Sequence, residues 1–98
     1  MTTYFVSRHL GAIAWAEEEG IHVDAFVEHL DPDDIRERDI VIGSLPVNLV
    51  AQVCERGAQY LHLSLELPPE LRGRELTVEE MRACGARIEG FRVTREAG

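Results

Sequence analysis

The sequence predicts an α/β fold: a single Rossmann-like domain with a mainly parallel sheet of about five strands and helices on both faces. Three observations predict it. Short apolar segments alternate with helical patterns along the chain. The segment DIVIG at 39–43 has a continuous apolar centre, typical of a strand covered on both faces. The 98 residues are 45% hydrophobic, which is enough for one modest core and hence for one domain over residues 1–98.

Five segments have the composition or the alternation of strands. In YLHLSLEL at 60–67, leucine occupies every second position, which predicts a leucine face directed to the core. The last segment alternates less regularly, so we expect it at an edge of the sheet. The predicted strands are 3–7, 25–30, 39–43, 60–67 and 86–95.

Helical patterns lie between these strands. Gly20 ends the first helix, and Pro46 suits the start of the second. Thr77 and Glu80 form a capping box before the third helix, and Asp31 is a cap for a single helical turn. The helices are predicted at 11–19, 46–56 and 77 to about 85, and the turn at 31–34.

The charge of the chain excludes one class of partner. Ten basic and eighteen acidic residues give a net charge of −8. A protein that coats duplex DNA or RNA is normally basic, so we expect no duplex nucleic acid partner. A small anionic ligand in a local basic pocket remains compatible with this charge.

The sequence also predicts the cellular setting. No apolar run approaches the roughly 20 residues that span a bilayer, and the N-terminus lacks the pattern of a secretory signal. We therefore expect a cytoplasmic protein without a membrane partner. Cys54 and Cys84 belong to no paired motif, and we expect two reduced thiols.

Two loops are candidates for a ligand site. In open parallel sheets, ligands bind beyond the carboxyl ends of strands, where helices begin. This rule selects residues 7–11 (SRHLG) and 43–48 (GSLPVN).

In the first loop, Ser7 offers a hydroxyl, and Arg8 with free amides at the helix start suits an anion. His9 can hydrogen-bond a phosphate or act as an acid or base near neutral pH, and Gly11 permits close approach. The alternative is a capped turn with an exposed arginine.

In the second loop, Gly43 and Ser44 precede Leu45 and Pro46, a pattern suited to a phosphate or ribose, and Asn48 can present its amide to the same cleft. The alternative is structural: Ser44 caps a helix that Pro46 starts.

Other chemistry has less support. His62 shares a strand face with Ser64 and Glu66, which can line a pocket floor or a subunit interface, or form the wet face of a half-exposed strand. Histidines and acids show no metal-ligand spacing, and neither loop is a dinucleotide or P-loop motif, so we expect no metal and no cofactor.

The segments FVSRH, HLDP, DIVIGSLPV, YLHLSLELP and RGRELT, in this order from Thr3 to about Val93, carry a resemblance. The chain resembles the small CRISPR-associated accessory family called Csx-sixteen, encoded beside type III CRISPR loci. The similarity covers almost the whole chain, and the order of short motifs carries it.

The resemblance implies a Rossmann-like fold related to domains that sense cyclic oligoadenylates. It implies a ring nuclease that linearises these messengers in antiviral defence, and a homodimer that binds one cyclic tetra-adenylate. We expect Arg8 and His9 to be catalytic. The expected ligand-binding residues are Ser7, Gly11, Gly43, Ser44, Leu45, Pro46, Asn48 and His62.

The proposed chemistry needs no metal, because a ribose 2′-hydroxyl attacks its own neighbouring phosphate and gives a 2′,3′-cyclic phosphate. Two alternatives remain at this point. One is a protein that binds cyclic oligoadenylate without cleaving it. The other is a structural subunit that packs against a CRISPR effector through the face of His62.

Overall fold

The computed structural model of the chain describes residues 1–97. Its strands are β1 (Thr3–Val6), β2 (Ala25–Val27), β3 (Ile40–Gly43), β4 (Gln59–Ser64) and β5 (Arg87–Phe91). Its helices are α1 (Leu10–Glu18), α2 (Val47–Glu55) and α3 (Val78–Ala83), with single 3-10 turns at Pro32–Asp34 and Pro69–Leu71. Each predicted element is present, and the predicted ends are too long by one to four residues at several strands.

The five strands form one sheet in the order β2-β1-β3-β4-β5. The pairs that join β1 to β2, β1 to β3, and β3 to β4 are parallel, and β5 is antiparallel to β4. The mainly parallel sheet and the position of the last strand at an edge are therefore confirmed. β2 lies on one side of β1, and the next strand along the chain, β3, lies on the other side. The direction in which strands are added to the sheet therefore reverses between β1 and β3.

Helices cover both faces of the sheet, as predicted. On one face, Phe5 and Ile42 lie side by side and pack against Trp15 of α1 and Met81 of α3. On the other face, Val41 and Tyr60 pack under α2 and under Ile35, which follows the first 3-10 turn. The central strand β3 is buried on both faces because Val41 and Ile42 point to opposite cores.

The alternation in β4 is real, and it directs the two faces of the strand to different cores. Leu63 is buried in the core that α1 and α3 cover. Tyr60, on the opposite face, is only 2% exposed because α2 packs over it. This face of β4 is therefore buried at Tyr60, whereas His62 and Ser64 further along it are half-exposed. The strand ends at Ser64, so the leucines after it belong to a loop.

The structural alternative for Ser44, a helix cap, is wrong. α2 begins at Val47, and Pro46 occupies the cap position without a side-chain hydrogen bond. The hydroxyl of Ser44 instead donates to the carbonyl oxygen of Leu63, 3.0 Å away. The capping box of Thr77 and Glu80 is confirmed.

Candidate functional site

A cleft of about 900 Å³ lies where the strand order reverses, at the carboxyl ends of β1 and β3. We call it the switch-point cleft. Its walls come from four loops that follow strands and from one segment before α3. These are residues 6–9 at the end of β1, 28–30 after β2, 43–46 at the end of β3, the three leucines Leu63, Leu65 and Leu67 at and beyond the end of β4, and the strap, residues 73–76.

The turn between β1 and α1 forms one wall. The hydroxyl of Ser7 accepts a hydrogen bond of 3.0 Å from the backbone N–H of His9, which turns the chain out of the sheet. The side chain of Arg8 is exposed and has no ion pair within residues 1–97. Both Arg8 and His9 line the cleft, so the strand ends early enough for adjacent residues to reach one ligand.

Glu75 of the strap binds the same turn. One carboxylate oxygen lies 3.2 Å from Nδ1 of His9, and the other accepts a bond of 3.3 Å from the N–H of Gly11. The bond with His9, followed by the amide of Gly11, holds the pKa of Glu75 below its ordinary value. The sequence predicts free amides at the start of α1, but two of them have partners: the N–H of His9 bonds to Ser7, and the N–H of Gly11 bonds to Glu75.

Gly11 has a structural reason to lack a side chain. A Cβ atom at this position would lie 1.8 Å from the carbonyl oxygen of Leu76. The strap therefore packs on the backbone of α1 at a distance that only glycine allows. Gly11 does not itself line the cleft, and its observed contact is with the strap.

The loop after β3 forms the opposite wall. Gly43 is buried, and a Cβ atom there would lie 3.0 Å from the carbonyl oxygen of Val6. Its small size lets β1 and β3 remain close at the base of the cleft. Ser44 is tied to Leu63, so the loop is joined to the end of β4 as well.

The loop after β3 is also held from the far face of the sheet. The hydroxyl of Tyr60 donates to the carbonyl oxygen of Gly43 at 2.9 Å and accepts from the N–H of Leu45 at 3.0 Å. Nδ1 of His62 lies 2.7 Å from the same hydroxyl. Because the hydroxyl proton is given to Gly43, Nδ1 of His62 donates the remaining bond. Burial raises the pKa of Tyr60, so this hydroxyl stays protonated.

The charges in the cleft are mixed. Arg8 and Arg74 supply positive charge, and Glu28 and Glu75 supply negative charge. Arg74 pairs with Glu80 of α3, whereas Arg8 has no such partner within residues 1–97. The guanidinium of Arg8 is therefore the cation of the cleft that is most available to an anionic ligand.

The structure brings most of the predicted site residues together. The cleft is lined by Ser7, Arg8, His9, Gly43, Ser44, Leu45 and Pro46. Asn48 lies in the first turn of α2, as predicted, but does not line the cleft. His62 lies on the other face of β4, beside a smaller groove of about 230 Å³, and reaches the cleft loop through Tyr60.

Three walls of the cleft were not predicted from the sequence. Residues 28–30 follow β2 and residues 65–67 follow β4, so the rule that selected the first two loops also selects them. The strap follows no strand, and its position depends on a contact between residues 66 positions apart. The segments that carry the family resemblance each contribute residues to this cleft, including HLDP and RGRELT.

Within residues 1–97, no group of three or more histidine, cysteine, aspartate or glutamate side chains is arranged to hold a metal ion. No helix in that range has the length and hydropathy needed to cross a membrane.

A protein-family profile matches nearly the whole chain. No curated protein and no solved structure matches the chain at a significant level. The profile of the family described as "Putative CRISPR-associated protein (Cas_VVA1548)" matches residues 4–94, nearly the whole chain. The matched range includes every wall of the switch-point cleft. The chain therefore belongs to the Cas_VVA1548 family of CRISPR-associated proteins.

Proposed function

We propose that this protein is a metal-independent ring nuclease that linearises cyclic oligoadenylate, such as cyclic tetra-adenylate, in type III CRISPR defence. The observation that carries the proposal is the pair Arg8 and His9, which line the switch-point cleft of a CRISPR-associated protein side by side. The resemblance to the Csx-sixteen family supplies the substrate class. The cleft supplies a cation and an imidazole at one place.

The reaction is a transesterification inside the ring. A ribose 2′-oxygen forms a bond to the adjacent phosphorus, and the bond from that phosphorus to the 5′-oxygen of the next nucleotide breaks. The 2′-hydroxyl loses a proton and the 5′-oxygen gains one. The products are a 2′,3′-cyclic phosphate and a free 5′-hydroxyl, and the step consumes no water, metal or cofactor.

The residues of the cleft match these needs. The guanidinium of Arg8 can donate paired hydrogen bonds to phosphoryl oxygens as their charge grows. His9 can give the proton that the leaving 5′-oxygen requires, because histidine titrates near neutral pH. The net charge of −8 does not oppose this ligand, since the local charge of a cleft decides the binding of a small anion.

The size of the cleft supports a site that is shared by two copies of the protein. A volume of about 900 Å³ is near the upper end of the range for drug-sized ligands, which is roughly 300–1,000 Å³. A ring of four nucleotides is larger than such ligands, so one cleft holds part of it. The proposal therefore includes a homodimer in which two copies bind one ring. A ring of identical nucleotides has a two-fold symmetry axis, which matches the axis that relates the two identical sites of such a dimer.

The test is incubation of the purified protein with labelled cyclic tetra-adenylate in the presence of EDTA. The proposal predicts a linear product that ends in a 2′,3′-cyclic phosphate. Sedimentation with and without the ring measures whether two copies bind it. An intact ring that remains bound would make the protein a sponge, and a ring that neither binds nor opens would favour a role as a subunit of a larger effector.

A further inference from the structure

We propose that Glu75 is a positioning residue for His9: its carboxylate holds the proton of Nδ1, so that Nε2 is the ring nitrogen offered to the ligand. The inference rests on the proposed function, because it assigns a task to a residue beside its catalytic histidine. It concerns a contact that brings together two distant parts of the chain, the β1–α1 turn and the strap.

The geometry fixes the direction of the hydrogen bond. An ionised carboxylate is an acceptor only, so the nitrogen 3.2 Å away must carry the proton. In a neutral imidazole this leaves the lone pair on Nε2, and in a protonated imidazole it leaves an Nε2–H donor. In either state, the nitrogen that can exchange a proton with a ligand in the cleft is Nε2.

The position of Glu75 is itself determined by packing. Its second oxygen accepts from the amide of Gly11, and the carbonyl of Leu76 occupies the space that a side chain at Gly11 would fill. The strap is also held on either side of Glu75: Arg74 pairs with Glu80 of α3, and Leu76 leads into the capping box at Thr77, where the chain enters α3. The carboxylate therefore reaches His9 from a segment that is held on both sides.

The charged and titratable surroundings of His9 are few. Besides Glu75, the cleft brings Arg8 from its own turn, Glu28 and His29 from the loop after β2, and Arg74 from the strap. Of the carboxylates in the described range, Glu75 is the one that bonds to the ring of His9. The side chains of His9 and Glu75 are 68% and 53% exposed, so loss of this contact leaves the core intact.

The first test reads the tautomer of His9 without any ligand. Long-range proton–nitrogen correlation NMR on histidine-labelled protein at about pH 8, above the range in which an ordinary histidine titrates, distinguishes Nδ1–H from Nε2–H. We expect Nδ1–H in the wild type and a shift toward Nε2–H in Glu75→Ala. Gly11→Ala displaces the strap and should produce the same shift. Glu70→Ala removes an exposed carboxylate that does not line the cleft and should change nothing.

The second test measures turnover. We expect Glu75→Ala to lower the single-turnover rate of ring opening at least about tenfold, with little change in ring affinity, because misplaced acid–base groups lose part of a contribution of roughly 10²–10⁴. An unchanged tautomer or an unchanged rate in Glu75→Ala would overturn the role of Glu75. A wild type that opens no ring would instead overturn the proposed function, and the tautomer measurement would then decide on Glu75 alone.

Discussion

The hydroxyl of Tyr60 donates a hydrogen bond to the carbonyl oxygen of Gly43 across 2.9 Å. Tyr60 belongs to the core under α2, whereas Gly43 stands at the base of the switch-point cleft. The same hydroxyl accepts from the N–H of Leu45. One buried phenol therefore fixes the loop after β3 from the face of the sheet that α2 covers.

Tyr60→Phe should weaken both the fold and the cleft. The carbonyl of Gly43 and the N–H of Leu45 lose their hydrogen-bond partner. An unsatisfied buried polar group lowers the free energy of unfolding by about 1–3 kcal/mol. Urea unfolding measures the loss, and ring affinity should fall because the loop is no longer held. Tyr4→Phe is the matched control, since Tyr4 is half-buried on the same face and does not line the cleft. Equal stability for the two variants would contradict this role.

Arg8→Ala should damage turnover and leave folding intact. Its side chain is exposed and unpaired within residues 1–97, so the free energy of unfolding should not change measurably. Loss of a guanidinium that stabilises charge on the phosphoryl oxygens should slow ring opening about a hundredfold. Arg92→Ala removes another exposed arginine, away from the cleft, and should retain the wild-type rate. A variant at Arg8 with full turnover would exclude it from the mechanism.

Asp39→Ala should be a stability variant with no direct effect on the cleft. Asp39 is 3% exposed, and its carboxylate oxygens each accept a bond of 2.9 Å, from the N–H groups of Thr2 and Arg36. Leaving such groups without partners costs about 1–3 kcal/mol, which urea unfolding resolves. Asp34→Ala, at an exposed position, is the control. If both variants unfold at the same urea concentration, the carboxylate of Asp39 does not support the fold.

The stability of the protein should fall as the solution becomes acidic. Arg87 bonds both oxygens of Glu66 and lowers the pKa of that carboxyl from its ordinary 4.5. Because the folded pKa is depressed, the stabilisation is complete above the unfolded value and is lost as pH falls through the folded value. Urea midpoints between about pH 6 and 3 measure this loss. Between these pH values, the urea midpoint of Glu66→Gln should fall less than that of Glu70→Gln, because Glu66→Gln has already lost the ionised carboxylate. Equal falls in the two variants would contradict the contribution of Glu66 to the pH dependence of stability.

The elements and half of the cleft follow from local sequence signals. Strand alternation, the capping box at Thr77 and the loops after β1 and β3 are all read from neighbouring residues. Strand order is different, because nothing in the spacing of the segments says which side of β1 receives β3. The contact between His9 and Glu75 depends on that order and on the packing of Leu76 over Gly11, so no local pattern predicts it. The helix cap was an open alternative for Ser44 because a serine before a helix fits a cap as well as it fits the bond to Leu63 that the structure has.

His9→Ala separates two roles for the imidazole. If His9 gives its proton to the leaving oxygen, the wild-type rate should fall as pH rises through the histidine range, roughly pH 5 to 8, and the variant should be slow and insensitive to pH. His22→Ala is the control, since His22 is exposed, bonds to Asp24 and does not line the cleft. A flat wild-type profile with a slow variant would leave His9 a phosphate-binding role instead.

The most direct measurement of the central claim is single-turnover opening of labelled cyclic tetra-adenylate in EDTA, with wild type, Arg8→Ala and His9→Ala compared at equal protein concentration. The account predicts that the wild type converts the ring to linear product with a 2′,3′-cyclic phosphate end, and that each variant binds the ring but opens it far more slowly. Equal rates for all three proteins, or a ring left intact by the wild type, would contradict a catalytic cleft built on Arg8 and His9.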